Sequence, residues 1–458
     1  MIQAGIKKGQ TIQLKIKRLG INGEGIGYFR KQICFIPNAL PGEEIVAQVT
    51  NVSQTFAEGI VTKIIKKSPN RITPPCQVYE ACGGCQLQHL TYEKQLQFKR
   101  DLVKQALHKF KPAGYVDYDL RPTIGMDTPW HYRNKAQFQL RYSEKHHRIE
   151  AGLYRPNSHE LVPIDNCLVQ EPQTQKVLNT TVQLLNKYQV PIYDEKKNSG
   201  IFRTLMVRIG IKTNEVQLVF ITNSTKFPAK QALIRELTTR LPNVVSIMQN
   251  IQNKKTSLVM GDTTVNLWGK DAIEEQINEV HFDLSARAFF QLNPIQTSIL
   301  YQETIRAMDY DSSHKIIDAY CGVGTIGLSV ASHVQSVRGM DTIPQAIEDA
   351  HKNAQRKGLS NTYYEAGTAE SLIPKWINEG YQADCIVVDP PRTGLDTKLL
   401  QTLLKHPSKR LVYVSCNVST LARDLVQLSK AYHIDYLQSV DMFPQTARCE
   451  VVTKLSKK

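Results

Sequence analysis

No stretch of this 458-residue chain is apolar over the length of a membrane-spanning helix, which needs about 20 such residues. The first ten residues, MIQAGIKKGQ, also lack the apolar segment of a secretory leader. Neither insertion into a membrane nor export is expected, and the cytoplasm is the expected compartment. A reducing compartment argues against a disulfide framework for the nine cysteines, leaving metal binding or catalysis as their expected uses. Acidic residues are scarce as well, 42 Asp and Glu against 57 Lys and Arg, for a net charge of +15. The deficit is uneven: residues 1–71 hold eleven Lys or Arg and only four Asp or Glu. Such a bias attracts a polyanion, most simply nucleic acid. A solvated basic surface is the plainer alternative. The length suits two to four domains with their own cores.

Residues 10–63 read as short strands. Gln13–Ile16 alternates polar and apolar, and Gly20, Gly23, Gly25 and Gly27 read as turns. Gln32–Ile36, Glu44–Thr50 and Gly59–Ile65 follow. Short strands with Gly-rich turns predict a small five-stranded barrel. After it come Cys76, Cys82 and Cys85, spaced C-x5-C-x2-C, with Gly83 and Gly84 between the last two. Two thiolates two residues apart can share one metal. Three thiolates need a fourth ligand to close either a tetrahedral zinc site or a four-iron cluster. Cys167 is the best candidate for it.

Residues 91–110 predict an amphipathic helix, with Lys94, Lys99, Arg100, Lys104 and Lys109 on a basic face that is solvated or touches phosphate. From about 121 to 285 strands dominate, interrupted by helices near 170–188 and 229–239. Trp130, His131, Tyr132, Arg133 and Asn134 interleave aromatic and basic side chains. They could stack on single-stranded bases, or they could form a strand edge with core aromatics, the reading we favour.

The periodicity changes after Phe289-Phe290-Gln291-Leu292-Asn293-Pro294. A strand over Lys315–Tyr320 runs into Cys321-Gly322-Val323-Gly324-Thr325-Ile326-Gly327, which opens a helix. The next strand ends at Asp341. In such a βαβ unit the glycines allow close backbone approach, and the acid can accept hydrogen bonds from a ribose. Spacing alone leaves a dinucleotide and S-adenosylmethionine (SAM) both open. Helices and strands alternate onward, predicting a doubly wound α/β domain. Leu411–Val414 reads as a buried strand ending at Ser415-Cys416-Asn417. Cys416 then lies at the carboxyl edge of the sheet, where ligands bind. A partly exposed thiol of lowered pKa there can act as a nucleophile, whereas an inert buried cysteine is the bland alternative.

Taken together, the turn pattern GEGIGYF, the segment PNALPGE, the four cysteines, FxQxN, Asp389-Pro390-Pro391-Arg392, Ser415-Cys416-Asn417 and the late Glu450 resemble the RNA uridine-C5 methyltransferases. The branch acting on 23S rRNA is the most similar. It joins a TRAM domain, an OB-like RNA-binding barrel, to an α+β iron-sulfur domain and a Rossmann-like SAM-dependent methyltransferase domain. The resemblance implies domains over 1–63, 64–285 and 286–458, with the 91–110 helix free to pack on the last. It implies a [4Fe-4S] cluster on Cys76, Cys82, Cys85 and Cys167, with zinc as runner-up. It implies SAM contacts from Gln291, Tyr320, Asp341 and Asp389, with Thr325 a further cofactor-facing position and Gly322 and Gly324 admitting the cofactor to the backbone. A monomer is expected. The chain departs from the family pattern in two places: Val418 stands where Pro commonly follows the SCN triplet, and Arg448-Cys449 where His-Val commonly precedes the glutamate.

The chemistry makes sense of these residues. C5 of uracil is a poor carbon nucleophile. A thiolate adding to C6, here that of Cys416, produces an enolate with electron density at C5. C5 can then take a methyl group, and a base, here Glu450, removes its proton so that elimination frees 5-methyluridine. A tRNA enzyme, an NAD oxidoreductase and a non-catalytic RNA-binding protein are the alternatives. The oxidoreductase leaves the DPPR and SCN segments unexplained.

Overall fold

The structure is a computed structural model describing residues 6–277 and 280–458. Residues 1–5, part of the stretch read for a leader, lie outside the described residues. Among the described residues no helix is long and apolar enough to cross a membrane.

The chain opens with a closed barrel in the order β1-β2-β3-β5-β4. Its strands are β1 (Thr11–Leu19), β2 (Gly25–Phe29), β3 (Gln32–Ile36), β4 (Glu44–Val52) and β5 (Phe56–Lys66). Ile12, Leu14 and Ile16 alternate into its core, as a strand with one buried face requires. Gly25 and Gly27 are not turn residues, as the sequence suggested, but lie inside β2. A Cβ on Gly25 would sit 2.6 Å from the Ala39 carbonyl oxygen, and one on Gly27 2.7 Å from Leu14. Close strand packing, not a turn, requires glycine there.

Helix α1 (Tyr92–Phe110) and the short β6 (Asp119–Leu120) follow. A seven-stranded sheet comes next, containing β7 (Lys135–Ser143), β8 (Arg148–Tyr154), β9 (Leu161–Pro163), β10 (Phe202–Ile209), β11 (Val216–Thr222), β12 (Val244–Ile251) and β13 (Thr263–Gly269). Helices α2 (Pro172–Lys187) and α3 (Lys230–Arg240) share one core with alternate residues of β7, β10 and β11. The hairpin of β14 (Ala272–Ile277) and β15 (Val280–Ser285) belongs elsewhere. Its Ile273, Phe282 and Leu284 pack with helix α4 (Pro294–Met308) beneath the last sheet.

That last sheet is doubly wound. It contains β16 (Lys315–Ala319), β17 (Ser336–Asp341), β18 (Thr362–Ala366), β19 (Cys385–Val388), β20 (Arg410–Ser415), β21 (Tyr432–Val440) and β22 (Glu450–Lys457). The order is β18-β17-β16-β19-β20-β22-β21-β6. The first five strands in this order are parallel, and β22 runs antiparallel to both neighbours. Helices α5 (Thr325–Val330), α6 (Pro344–Arg356), α7 (Ala369–Asn378), α8 (Thr397–Lys405) and α9 (Val418–Leu428) connect them. Helix α1 joins the core of α7, α8 and α9 through Val103, Ala106 and Leu107, and β6 pairs with β21. The segment around 92–120 therefore packs on the catalytic sheet.

Helix α1 also corrects its own reading. Lys99 is not on a basic outer face. It is wholly buried, paired with Asp441, and donates to the Phe443 carbonyl (3.1 Å). Tyr92 donates to the other oxygen of Asp441 (3.0 Å). Breaking a buried ion pair from one side leaves an uncompensated charge and costs about 3–5 kcal/mol. Lys99→Met should lower unfolding free energy by about that amount, and Lys99→Met with Asp441→Leu by less. Urea denaturation of the two variants checks this.

Candidate functional site

Loops at the carboxyl edge of the last sheet enclose one cavity of about 2180 Å³. It is lined by Gln291, Tyr320, Gly322, Thr325, Asp341, Asp389, Cys416 and Glu450. These residues lie as far as 159 positions apart in the sequence, and the topology gathers them because parallel strands end on the same edge.

At one end the turn after β16 forms a cradle. Tyr320 takes φ +64 and Gly322 φ +54. A Cβ on Gly322 would meet nothing within 4 Å, so the backbone there is open to a ligand. The Gly322 N–H donates to Asp341 Oδ2 (3.1 Å), and the Ile343 N–H to Asp341 Oδ1 (2.9 Å). The acid at the end of β17 is thus held beside the glycine turn, as a ribose-binding carboxylate requires. Thr325 opens α5, and its hydroxyl receives the Tyr301 O–H (3.5 Å). Gly324 does not line the cavity. It takes φ +84 at the start of α5, and a Cβ there would lie 3.0 Å from Leu328 and Tyr364. Its glycine is required by the turn and its packing.

At the other end lie Cys416 and Glu450. Ser415 pairs with Val451 across β20 and β22, so the register continued by one residue sets Cys416 opposite Glu450. Asn417 caps α9 through Ser419 N–H (3.0 Å) and donates to the Arg392 carbonyl (2.9 Å). The SCN and DPPR segments are therefore tied together. Asn293 donates to the Met442 carbonyl (3.1 Å), and Gln296 to that of Asp441 (3.0 Å), fixing the loop that leads to Glu450.

The lowered thiol pKa that would activate Cys416 is not what the free site supplies. Burial raises the Cys416 thiol, the Glu450 and Asp389 carboxylates add to this, and Arg392 opposes it. Burial pushes Glu450 up to about 8, with Asp389 adding and Arg392 opposing. Asp389 is pushed to about 7 by burial and Asp318. Asp318 itself reaches about 7 through burial, opposed by the Gly327 N–H and aided by Asp341. A low-dielectric cavity with several carboxyl groups holds protons near neutral pH.

Sequence reasoning gave no role to Asp318, Tyr301, Arg392 or Phe289, all of which line the cavity. An acid inside the apolar strand of β16 and the arginine of DPPR were the available signals. Phe289 is 72% exposed while Phe290 is buried, an orientation the letters FF do not reveal. Cys449, beside Glu450, is buried in the core. Val418, at the other departure from the family pattern, packs partly buried against the same cluster.

Cys76, Cys82, Cys85 and Cys167 lie away from this cavity. Among the described residues no three His, Cys, Asp or Glu side chains are placed to hold a metal ion as they stand. The four thiols are nonetheless near enough to interact. Burial, opposed by a hydrogen bond from Gln88 and aided by Cys167, Cys82 and Cys76, raises Cys85 to about 12. Gly83 lies against Pro156, and Gly84 has room for only 3.4 Å between a Cβ and the Cys82 sulfur. Four coupled thiols around a tight glycine turn are a donor set that suits a four-iron cluster or zinc.

A doubly wound sheet with an acid beside an open glycine turn, and a thiol and a buried carboxyl on the same edge, is the architecture of a Rossmann-like domain for a nucleoside-containing cofactor. Comparison narrows the class. The model of the tRNA (Uracil-5-)-methyltransferase family matches residues 91–458, and that of the TRAM domain matches residues 6–62. An uncharacterized RNA methyltransferase of Enterococcus faecalis is 67% identical over 100% of both chains. One of Listeria innocua is 55% identical over the same extent. The crystal structure of Pyrococcus abyssi tRNA (uracil-54, C5)-methyltransferase with S-adenosyl-L-homocysteine matches with a TM-score of 0.77 at 26% identity. That match covers 97% of this chain and 100% of the other. The chain belongs to the RNA uracil-C5 methyltransferase family, with an N-terminal TRAM barrel, and is a SAM-dependent RNA methyltransferase.

Proposed function

We propose that the protein methylates C5 of a uridine in 23S rRNA through a covalent bond between Cys416 and C6. The observation that carries this is the pairing of Cys416 with Glu450 in a cavity whose other end is the Gly322–Asp341 cradle. Gly322, Asp341, Gln291, Tyr320, Thr325 and Asp389 hold SAM, which supplies an electrophilic methyl on a positively charged sulfur. Cys416 gives up its thiol proton to solvent, adds to C6 as the thiolate and sends electron density to C5. After C5 is methylated, Glu450 takes the C5 proton. The C6–S bond then breaks and returns the electron pair to Cys416. The target base must leave its stack to reach the cavity.

A tRNA substrate is the second reading. It is favoured by the likeness, along nearly the whole chain, to an enzyme named for tRNA, so a TRAM barrel and middle domain do not by themselves select rRNA. Labelled SAM offered with 23S rRNA and tRNA transcripts separates the two. Label in uridine of the rRNA alone supports the proposal, and label in tRNA alone overturns its substrate.

Cys76, Cys82, Cys85 and Cys167 are proposed to hold a [4Fe-4S] cluster. Anaerobically purified protein should be brown and carry about four irons per chain. One zinc and no colour would assign the site to zinc.

A further inference from the structure

The seven-stranded sheet has a second face, which α2 and α3 do not cover; at β10–β12 it is closed by Ala286, Val259 and Met260 over Met206, Val219 and Met248, which leaves β7 at its margin. Ala136, Phe138 and Leu140 of β7 point into the core under the helices. Period-two alternation therefore turns Lys135, Gln137, Gln139 and Arg141 to the other face, where Lys135, Gln137 and Gln139 are partly buried and Arg141 is exposed. The stripe runs about 20 Å at the rise of a strand. Its inner end is stitched to the rim of the catalytic cavity: Asn134 N–H donates to the Leu292 carbonyl (3.0 Å) and its side chain to that of Gln291 (3.3 Å).

Positive charge gathers at this inner end. Arg208 of β10 stands opposite Lys135 in register. Its buried guanidinium donates to the carbonyls of Ser285 (3.0 Å) and Ala288 (2.7 Å), with no carboxylate partner among the described residues. Arg133 donates to the Lys135 carbonyl (3.2 Å). Burial together with Arg208 and Arg133 holds Lys135 down at about 8, a repulsion that an anion would relieve. At the outer end Arg141 lies over the Tyr154 ring (5.9 Å). The nearby Glu150, opposite Arg141 in register, is engaged by Arg148 and His146. Between the ends, Gln139 accepts from Thr204 (2.8 Å) and Gln137 donates to the Met206 sulfur (3.6 Å). Each amide keeps further hydrogen-bonding capacity.

We propose that this stripe is the track for single-stranded RNA flanking the target nucleotide. A phosphate next to the extruded base sits at Lys135 and Arg133, and a second phosphate sits at Arg141, beside the stacked rings of Tyr154 and His159. Cations spaced along the strand path of the backbone are the electrostatic part of single-stranded RNA binding. The proposal rests on the substrate being RNA, but not on which RNA.

The test uses the full-length protein and a short uridine-containing single-stranded RNA, with binding followed by fluorescence anisotropy across a potassium chloride series. Each phosphate contact on a single strand contributes about 0.7 to the slope of log K against log salt. Lys135→Gln with Arg141→Gln should therefore flatten the slope by about 1.4, and Lys135→Arg with Arg141→Lys should restore it. SAM affinity should not change in any of these variants, which shows that they fold. An unchanged slope in the double Gln variant overturns the track. So does equal competition by duplex RNA, or a wild-type protein that does not bind the probe. If the slope flattens while wild-type protein makes no 5-methyluridine in either transcript, the track stands and the catalytic reading falls.

Discussion

Cys416→Ala should abolish methyl transfer while SAM affinity is retained. The Ser415–Val451 register, continued by one residue, sets the sulfur opposite Glu450, and alanine cannot add to C6. The cofactor cradle is built from other strands, with Gly322 and Asp341 at the ends of β16 and β17, so truncating one side chain at the end of β20 leaves it intact. Isothermal titration with SAM and a transfer assay on the same preparation check both halves. Measurable turnover by the alanine variant would mean that no bond to Cys416 is needed.

Glu450→Gln should stop the reaction halfway. Gln keeps the size of the side chain and one acceptor but cannot take the C5 proton. RNA already methylated and still joined to Cys416 should then accumulate on ordinary uridine RNA, visible as a labelled band on a denaturing gel. Turnover should fall on the order of 10²–10⁴-fold, the usual share of a general base. With the wild-type protein, the rate should rise with pH through about 8, because Glu450 is pushed to that value and only its ionised form accepts a proton. The same shift bears on stability. Glu450 binds its proton more tightly when folded than when unfolded, so its contribution falls as pH rises from the ordinary glutamate range to about 8. Glu450→Gln removes that charge and should make the protein more stable at pH 8, which sets loss of turnover apart from loss of folding. Near-normal turnover without a retained adduct would assign the proton to another group.

Much of the site was legible because its parts sit at strand ends. The apolar run before Cys416, the glycine turn before Asp341 and the acid of DPPR each mark a strand's carboxyl end, and the doubly wound topology brings such ends together. What the sequence could not show depends on partners distant in the chain. Cys416 reads as a thiol ready for activation, yet Glu450 and Asp389, 34 and 27 residues away, raise it. Lys99 reads as part of a solvated helix face, yet its partner Asp441 is 342 residues on. Gly324 reads as cofactor backbone because of its place in the letters, and the packing of Leu328 and Tyr364 that also demands glycine there is not visible in them. The glycines of β2 read as turns because close packing against Leu14 and Ala39 is a property of the closed barrel, not of the segment.

The central claim, covalent methylation of uracil through Cys416, is tested most directly with RNA carrying 5-fluorouridine at the target position. Fluorine at C5 leaves no proton to remove, so elimination fails and the bond to the protein persists. Wild-type protein, SAM and this RNA should give a stable complex whose proteolytic digest carries the methylated fluorouridine on the Cys416 peptide. A stable adduct on any other cysteine, or complete transfer with no adduct, would contradict the account.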